Sequence, residues 1–139
     1  MTPEDRAAPV TDPPPAGVAR LASISIDCPD PATLADFYEA LLGMPRAFAT
    51  EDGRLVSLSD GRIWLTLMRT EDHVAPTWPG AGQQQQMHLD LAVTDLEVAV
   101  TRALALGAAL AEFQPKPDAW RVLLDPAGHP FCLTTVTAV

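Results

Sequence analysis

No apolar run in this 139-residue chain approaches the roughly 20 residues needed to cross a bilayer, so a membrane-spanning helix is excluded and no membrane partner is expected. Basic residues are scarce. Nine Lys and Arg stand against eighteen Asp and Glu, a formal charge of −9. That balance repels phosphate backbones and argues against nucleic acid as a partner, while suiting a neutral or cationic ligand. Cysteine is limited to Cys28 and Cys132, too few for a disulfide framework. The opening stretch, MTPEDRAAPVTDPPPAGVAR, lacks the basic-then-apolar order of a signal peptide and the arginine richness of a transit peptide. The expected location is therefore cytoplasmic. Large apolar residues are also missing from this stretch while prolines abound, which predicts a disordered tail over residues 1–18.

The remainder is long enough for one domain with a real core and too short for two ordinary ones. RLASISIDC alternates, with Leu21, Ser23, Ser25 and Asp27 on one face and Ala22, Ile24, Ile26 and Cys28 on the other. That is a strand with one apolar side. In PDPATLADFYEALLGM, Asp30 can cap a helix that starts at Pro31. Leu34, Phe37, Tyr38, Leu41 and Leu42 form its apolar stripe, and Gly43 ends it. Strands are predicted at about Arg46–Thr50, Arg54–Ser59 and Arg62–Met68, separated by the turn signals EDG and SDG. Thr70–Gly82 is rich in Pro and Gly without periodicity and reads as a linker.

The pattern then recurs. QMHLDLAV alternates, and Asp95 caps a helix with the stripe Leu96, Ala99, Val100, Ala103, Leu104 and Leu106, closed by Gly107. Strands are predicted at Ala109–Gln114, Ala119–Leu124 and Pro130–Thr135, with DPAG as a turn. Both halves read strand–helix–strand–strand–strand, about 65 residues apart. The duplication predicts two similar half-domains sharing one sheet.

A helix laid on a sheet covers one face, so apolar parity points at the helices and the opposite parity shows what the other face carries. That second face takes Ser23, Ser25 and Asp27; Trp64, Thr66 and Met68; His88, Asp90 and Ala92; and Cys132 and Thr134. It is either the lining of a cleft or a solvated sheet face. His73, in the linker, and His129, in a turn, read as structural or solvent-facing. Cys28 reads as a small core residue, and Trp78 and Trp120 as rim or packing residues.

DCPDPATLADFYEALLGM, MHLDLAVTDLEVAVTRALALGAAL and WRVLLDPAGHPFCL together resemble the glyoxalase/bleomycin-resistance family, the vicinal-oxygen-chelate superfamily, in its glyoxalase-like subgroup. The resemblance covers about residues 19–136. It implies an α+β fold of two βαβββ modules, about 19–69 and 86–136 within a domain spanning 19–139, forming a curled mixed sheet around a cleft, commonly in a homodimer. It also implies four metal positions, which fall at Ser23, at about Trp64, at His88 and at Cys132. Only His88 keeps a ligand type of the family; tryptophan cannot bind the ion and neutral serine binds it poorly. Cys132 with His88 makes two ligands, to which Asp90 adds a third only by a shifted geometry, where a stable site wants three or four good ones. The expectation is therefore no metal and no other cofactor.

Three roles stay open for His88: metal ligand, structural histidine, or cleft residue that touches ligand and acts as a general base beside Asp90. A near-neutral imidazole suits proton transfer from carbon next to a carbonyl, chemistry typical of the superfamily. The resulting expectation is a protein that binds a small organic molecule in its cleft. Ser23, Ser25, Asp27, Trp64, Thr66 and Cys132 bind the ligand, and His88 and Asp90 carry any metal-independent lyase or isomerase chemistry. The alternative is a non-catalytic protein that sequesters its ligand, as in the bleomycin-resistance branch.

Overall fold

The computed structural model describes residues 17–80 and 82–136. The expected tail lies outside the described residues apart from Gly17 and Val18, both exposed. The chain divides into two compact units, one ending at Glu71 and one running from Asp72. Among the described residues, no helix is long and apolar enough to cross a membrane.

The first unit consists of β1 (Ser23–Cys28), α1 (Pro31–Leu42), β2 (Arg46–Ala49), β3 (Leu55–Ser59) and β4 (Trp64–Arg69). Its sheet has the order β1-β4-β3-β2, with β1 parallel to β4 and the other pairs antiparallel. The second repeats the plan with β5 (Leu89–Ala92), α2 (Leu96–Leu106), β6 (Ala109–Leu110), β7 (Trp120–Leu124) and β8 (Pro130–Thr134). Its order is β5-β8-β7-β6, again with one parallel pair, β5 and β8. The two βαβββ modules are thus present, and the hydrogen-bonded ladders close within each as two four-stranded mixed sheets.

Both helices start and stop where the sequence places them. Asp30 is extended (φ −140°), and its carboxylate accepts from the Ala32 amide at 3.2 Å and the Thr33 hydroxyl at 2.7 Å. These bonds occupy donors that the first helical turn otherwise leaves unpaired. Asp95 does the same for α2, accepting from the Val98 amide at 3.1 Å. Gly43 and Gly107 take the left-handed conformation that ends each helix.

The α1 cap yields a first test. The Thr33 hydroxyl, more than any other contact, holds the Asp30 carboxyl below its ordinary range. A depressed folded pKa means the cap stabilises above the unfolded value of about 3.9, and that this is lost as pH falls through the lower folded value. Asp30→Ala is expected to cost about 1 kcal/mol at pH 7, and the difference from wild type should close in urea melts taken at progressively lower pH. A constant difference down to the acid limb would show that the cap contributes nothing through its charge.

In the first unit, α1 packs Leu34, Ala35, Phe37 and Tyr38 against β3 and β4, where Val56, Leu58, Leu65 and Leu67 are buried. The expected parity holds on β1, where Ser23, Ser25 and Asp27 are exposed while Cys28 is buried. In the second unit the stripe of α2 is only partly used. Val100 and Ala103 are buried, but Leu104 and Leu106 are 40% and 41% exposed. The strand beneath them is short: β6 has two residues rather than the six expected. The cause is Gln114, whose side-chain amide donates to the carbonyls of Ala111 (2.9 Å) and Val122 (2.8 Å) and accepts from the Val122 amide (2.8 Å). A side chain takes over the hydrogen bonds that a continued β6 backbone would make with β7.

Thr70–Gly82 is more than a linker. From Asp72 on it belongs to the second unit, where His73 Nε2 is 3.0 Å from the Ala127 carbonyl and the rings of His73 and His129 lie 5.4 Å apart. Thr77 pairs with Gln84 in an isolated bridge, and the Thr77 amide donates to the Gln83 carbonyl.

Candidate functional site

The polar parity of the first sheet forms a hydroxyl cluster. The Ser23 and Thr66 hydroxyls lie 2.9 Å apart, and Thr66 is again 2.9 Å from the Ser57 hydroxyl. Ser57 and Thr66 are directly paired across β3 and β4, and both are buried. Ser25 and Asp27 are exposed on β1, and Trp64 is half-buried at the start of β4, opposite Ser23 in register. These hydroxyls satisfy one another.

The second sheet gathers a chemically sharper group. Parallel pairing of β5 and β8 sets Asp90 directly opposite Cys132, and His88 precedes Asp90 by two residues, on the same face. His88 Nε2 lies 3.1 Å from Asp90 Oδ1, with the two side chains 33% and 38% exposed. The imidazole nitrogen, a carboxylate oxygen and the Cys132 sulfur all fall within 4.8 Å of one another. Burial pushes the Cys132 thiol up to about 11, and the Asp90 charge and a hydrogen bond to Asp90 push the same way. The thiol therefore keeps its proton at neutral pH and donates it to Asp90, so Cys132 is not a ready nucleophile.

Beside this group lies a cavity of about 130 Å³ lined by Trp78, Gln85, His88, Trp120, Val122, Pro130 and Cys132. Trp78 and Trp120 pack against the cluster of Ala111, Val122 and Cys132. Trp78 also meets Phe113, with ring centroids 5.8 Å apart, and the Lys116 ammonium sits 5.7 Å from the Trp120 ring centre. Within the wall, the side-chain oxygen of Gln85 is buried without a hydrogen-bond partner. A larger hollow of about 400 Å³ lies at the start of α2, lined by Ala92 to Asp95, Val98, Ala99 and Arg102. Its acid, Asp95, is engaged as the helix cap. Thr94 and Arg102 also line it, but no His, Cys or aromatic side chain does, so the smaller cavity is the better candidate.

The apolar wall of that cavity is made by Trp78 and Trp120, which the sequence reads as rim or packing residues, while Trp64, read as ligand-binding, belongs to the first unit. Parity along β7 could have found part of this: Val122 faces Cys132 and Trp120 faces Thr134 across the ladder. Trp78 and Gln85 come from a stretch without periodicity, where no sequence signal places them.

The four metal positions implied by the resemblance differ in donor chemistry. Trp64 offers no lone pair suited to an ion, and the Ser23 hydroxyl is engaged by Thr66. Cys132 is a desolvated thiol that must lose its proton before it can ligate. These four positions do not fit a divalent ion as the family holds it. Among the described residues, His88, Asp90 and Cys132 form a hydrogen-bonded trio whose donor atoms also lie close enough together to meet one ion.

The glyoxalase-like domain family matches residues 23–134, and the chain belongs to it. No curated protein sequence matches the chain. Among solved structures, it is similar to the fosfomycin resistance protein FosX from Mesorhizobium loti (TM-score 0.65, 18% identity, 85% of this chain and 92% of that one). It is also similar to FosX from Listeria monocytogenes, solved with Mn(II) and 1S,2S-dihydroxypropylphosphonic acid (TM-score 0.67, 14% identity, covering 87% and 93%). A third is lactoylglutathione lyase from Agrobacterium tumefaciens (TM-score 0.56, 22% identity, covering 86% and 93%). At these identities the likeness establishes the fold.

Proposed function

We propose that the protein binds a small organic molecule in the cavity of its second module, without a metal. The observation that carries this reading is the convergence, around one cavity, of two indole rings with His88 and Cys132, both of which hydrogen-bond to Asp90 behind them. Ligand sites combine apolar surface with a few placed polar groups. The test is an untargeted metabolite capture from cell extract on immobilised protein. His88→Ala is expected to weaken binding of the captured molecule by about 1–3 kcal/mol with little loss of stability. Ready unfolding of that variant, or unchanged binding, would make His88 a structural residue.

The His88–Asp90 bond supports a second reading, proton transfer. A carboxylate only accepts, so Nε2 donates in this bond, and whenever the ring is neutral Nδ1 is the nitrogen left to act as base. Such a base could take a proton from carbon next to a ligand carbonyl, the step of a metal-independent lyase or isomerase. Sequestration without chemistry needs only the cavity.

Freedom from metal is tested separately. Protein purified without chelator should carry well under one equivalent of zinc, nickel, manganese or iron by mass spectrometry. Stoichiometric metal that disappears in His88→Ala would assign the trio to an ion instead.

A further inference from the structure

We infer that the cavity selects a single uncharged aromatic ring, recognised by its flatness and its π-surface. This rests on the reading of the cavity as a ligand site and names the class of ligand it takes. Size sets the first limit. A cavity of about 130 Å³ is slightly smaller than the roughly 150 Å³ engineered cavity that holds benzene, so it admits one ring. The wall sets the second. Trp78, His88 and Trp120 bring rings of their own to it, and Val122 and Pro130 add aliphatic surface. Aromatic pairs gain from edge-to-face and offset contacts beyond the area they bury, whereas a saturated ring of equal size gains the area alone.

The indoles are held in place by the protein itself. Trp78 meets Phe113 and Trp120 meets the Lys116 ammonium, and both indoles pack on the cluster of Ala111, Val122 and Cys132. A preorganised wall loses little entropy when a guest enters, and a rigid flat guest loses little of its own. Of the polar groups in the lining, His88 Nε2 and the Cys132 thiol are bonded to Asp90, and the Gln85 oxygen is closed off within the wall. Charges of both signs stand nearby, Asp90 behind His88 and Cys132, and Lys116 against Trp120. Among the described residues, however, no Asp, Glu, Lys or Arg lines the cavity. A charged head group entering it would leave water without a counter-ion in the lining.

Four probes separate these terms: toluene, methylcyclohexane, benzoate and benzylamine, titrated into the intact protein while the Trp78 and Trp120 indole resonances are followed by NMR. Methylcyclohexane matches toluene in carbon count but is puckered and has no π-system. Toluene is expected to bind about fivefold or more tightly than methylcyclohexane, and to exceed both charged rings by about the same factor. Trp78→Leu and Trp120→Leu, followed through the remaining indole, should each cut the advantage over methylcyclohexane by about twofold or more. If either variant fails to fold, the wild-type comparison still decides the class. Methylcyclohexane binding as tightly as toluene would overturn the selection for an aromatic ring while leaving the cavity as a ligand site. An advantage unchanged in both variants would overturn it as well, because the indoles would not be its source. Preference for benzoate or benzylamine over toluene would make Lys116 or Asp90 the deciding group and overturn the uncharged class. If none of the four moves either resonance, the ligand site itself fails, and this inference with it.

Discussion

Phe131→Ala is expected to lower stability by about 3–5 kcal/mol, a large part of the 5–15 kcal/mol that holds a typical domain together. The reason lies in strand position. β8 is an inner strand, flanked by β5 and β7, and all five of its residues are buried. Phe131 is fully buried, opposite Leu89 on one side and Leu123 on the other. Truncation would remove its apolar surface and leave a void that the flanking ladders hold open. The cost reaches the site because Cys132 is the next residue and faces the cavity from the same strand. Urea unfolding followed through the Trp78 and Trp120 indole signals reports on the unit that carries Phe131. Leu21→Ala, at a residue 66% exposed, should shift the midpoint by no more than about 0.5 kcal/mol equivalent. Equal effects from the two substitutions would mean that β8 is not the centre of that core.

The legible parts of this molecule are those governed by local rules. Both helices could be bounded from Asp30, Gly43, Asp95 and Gly107, because capping and left-handed termination act within a few residues. The duplicated order of elements followed from them. Strand parity identified the exposed Ser23, Ser25 and Asp27, because period 2 is a property of one strand. Register is different: it depends on two strands at once. Nothing in QMHLDLAV or PFCLTTV, read singly, says that Asp90 stands opposite Cys132, and that pairing is what turns three scattered residues into a trio. Gln114 was read as the end of a strand, but its amide substitutes for backbone and shortens β6. Trp78 and Gln85 were least legible, since tertiary packing alone positions them.

Gly128→Ala is expected to destabilise the second unit by about 2–5 kcal/mol, the combined scale of a left-handed residue acquiring a Cβ and of overpacking a filled site. Gly128 sits at φ +90° in the turn between β7 and β8, where the buried Asp125 carboxylate accepts from the Ala127 amide at 2.9 Å and the His129 amide at 3.0 Å. A Cβ at this position would lie 2.5 Å from the Cβ of Ala75. That neighbour is a short side chain fixed to backbone, with no flexible end to swing aside. The two contributions can be separated. In Gly128→Ala with Ala75→Gly the clash is gone while the backbone strain of about 1–2 kcal/mol remains, so the double variant should be more stable than the single Gly128→Ala. A double-mutant cycle on urea midpoints would give a coupling of about 1–3 kcal/mol. The same cycle tests the segment from Asp72 that brings Trp78 to the cavity. If the segment is docked on the turn, as the His73–Ala127 hydrogen bond indicates, Gly128→Ala should displace the Trp78 indole resonance and the second substitution should restore it. Additive effects with an unmoved Trp78 signal would show that Ala75 does not pack on the turn, and the placement of Trp78 would need another cause.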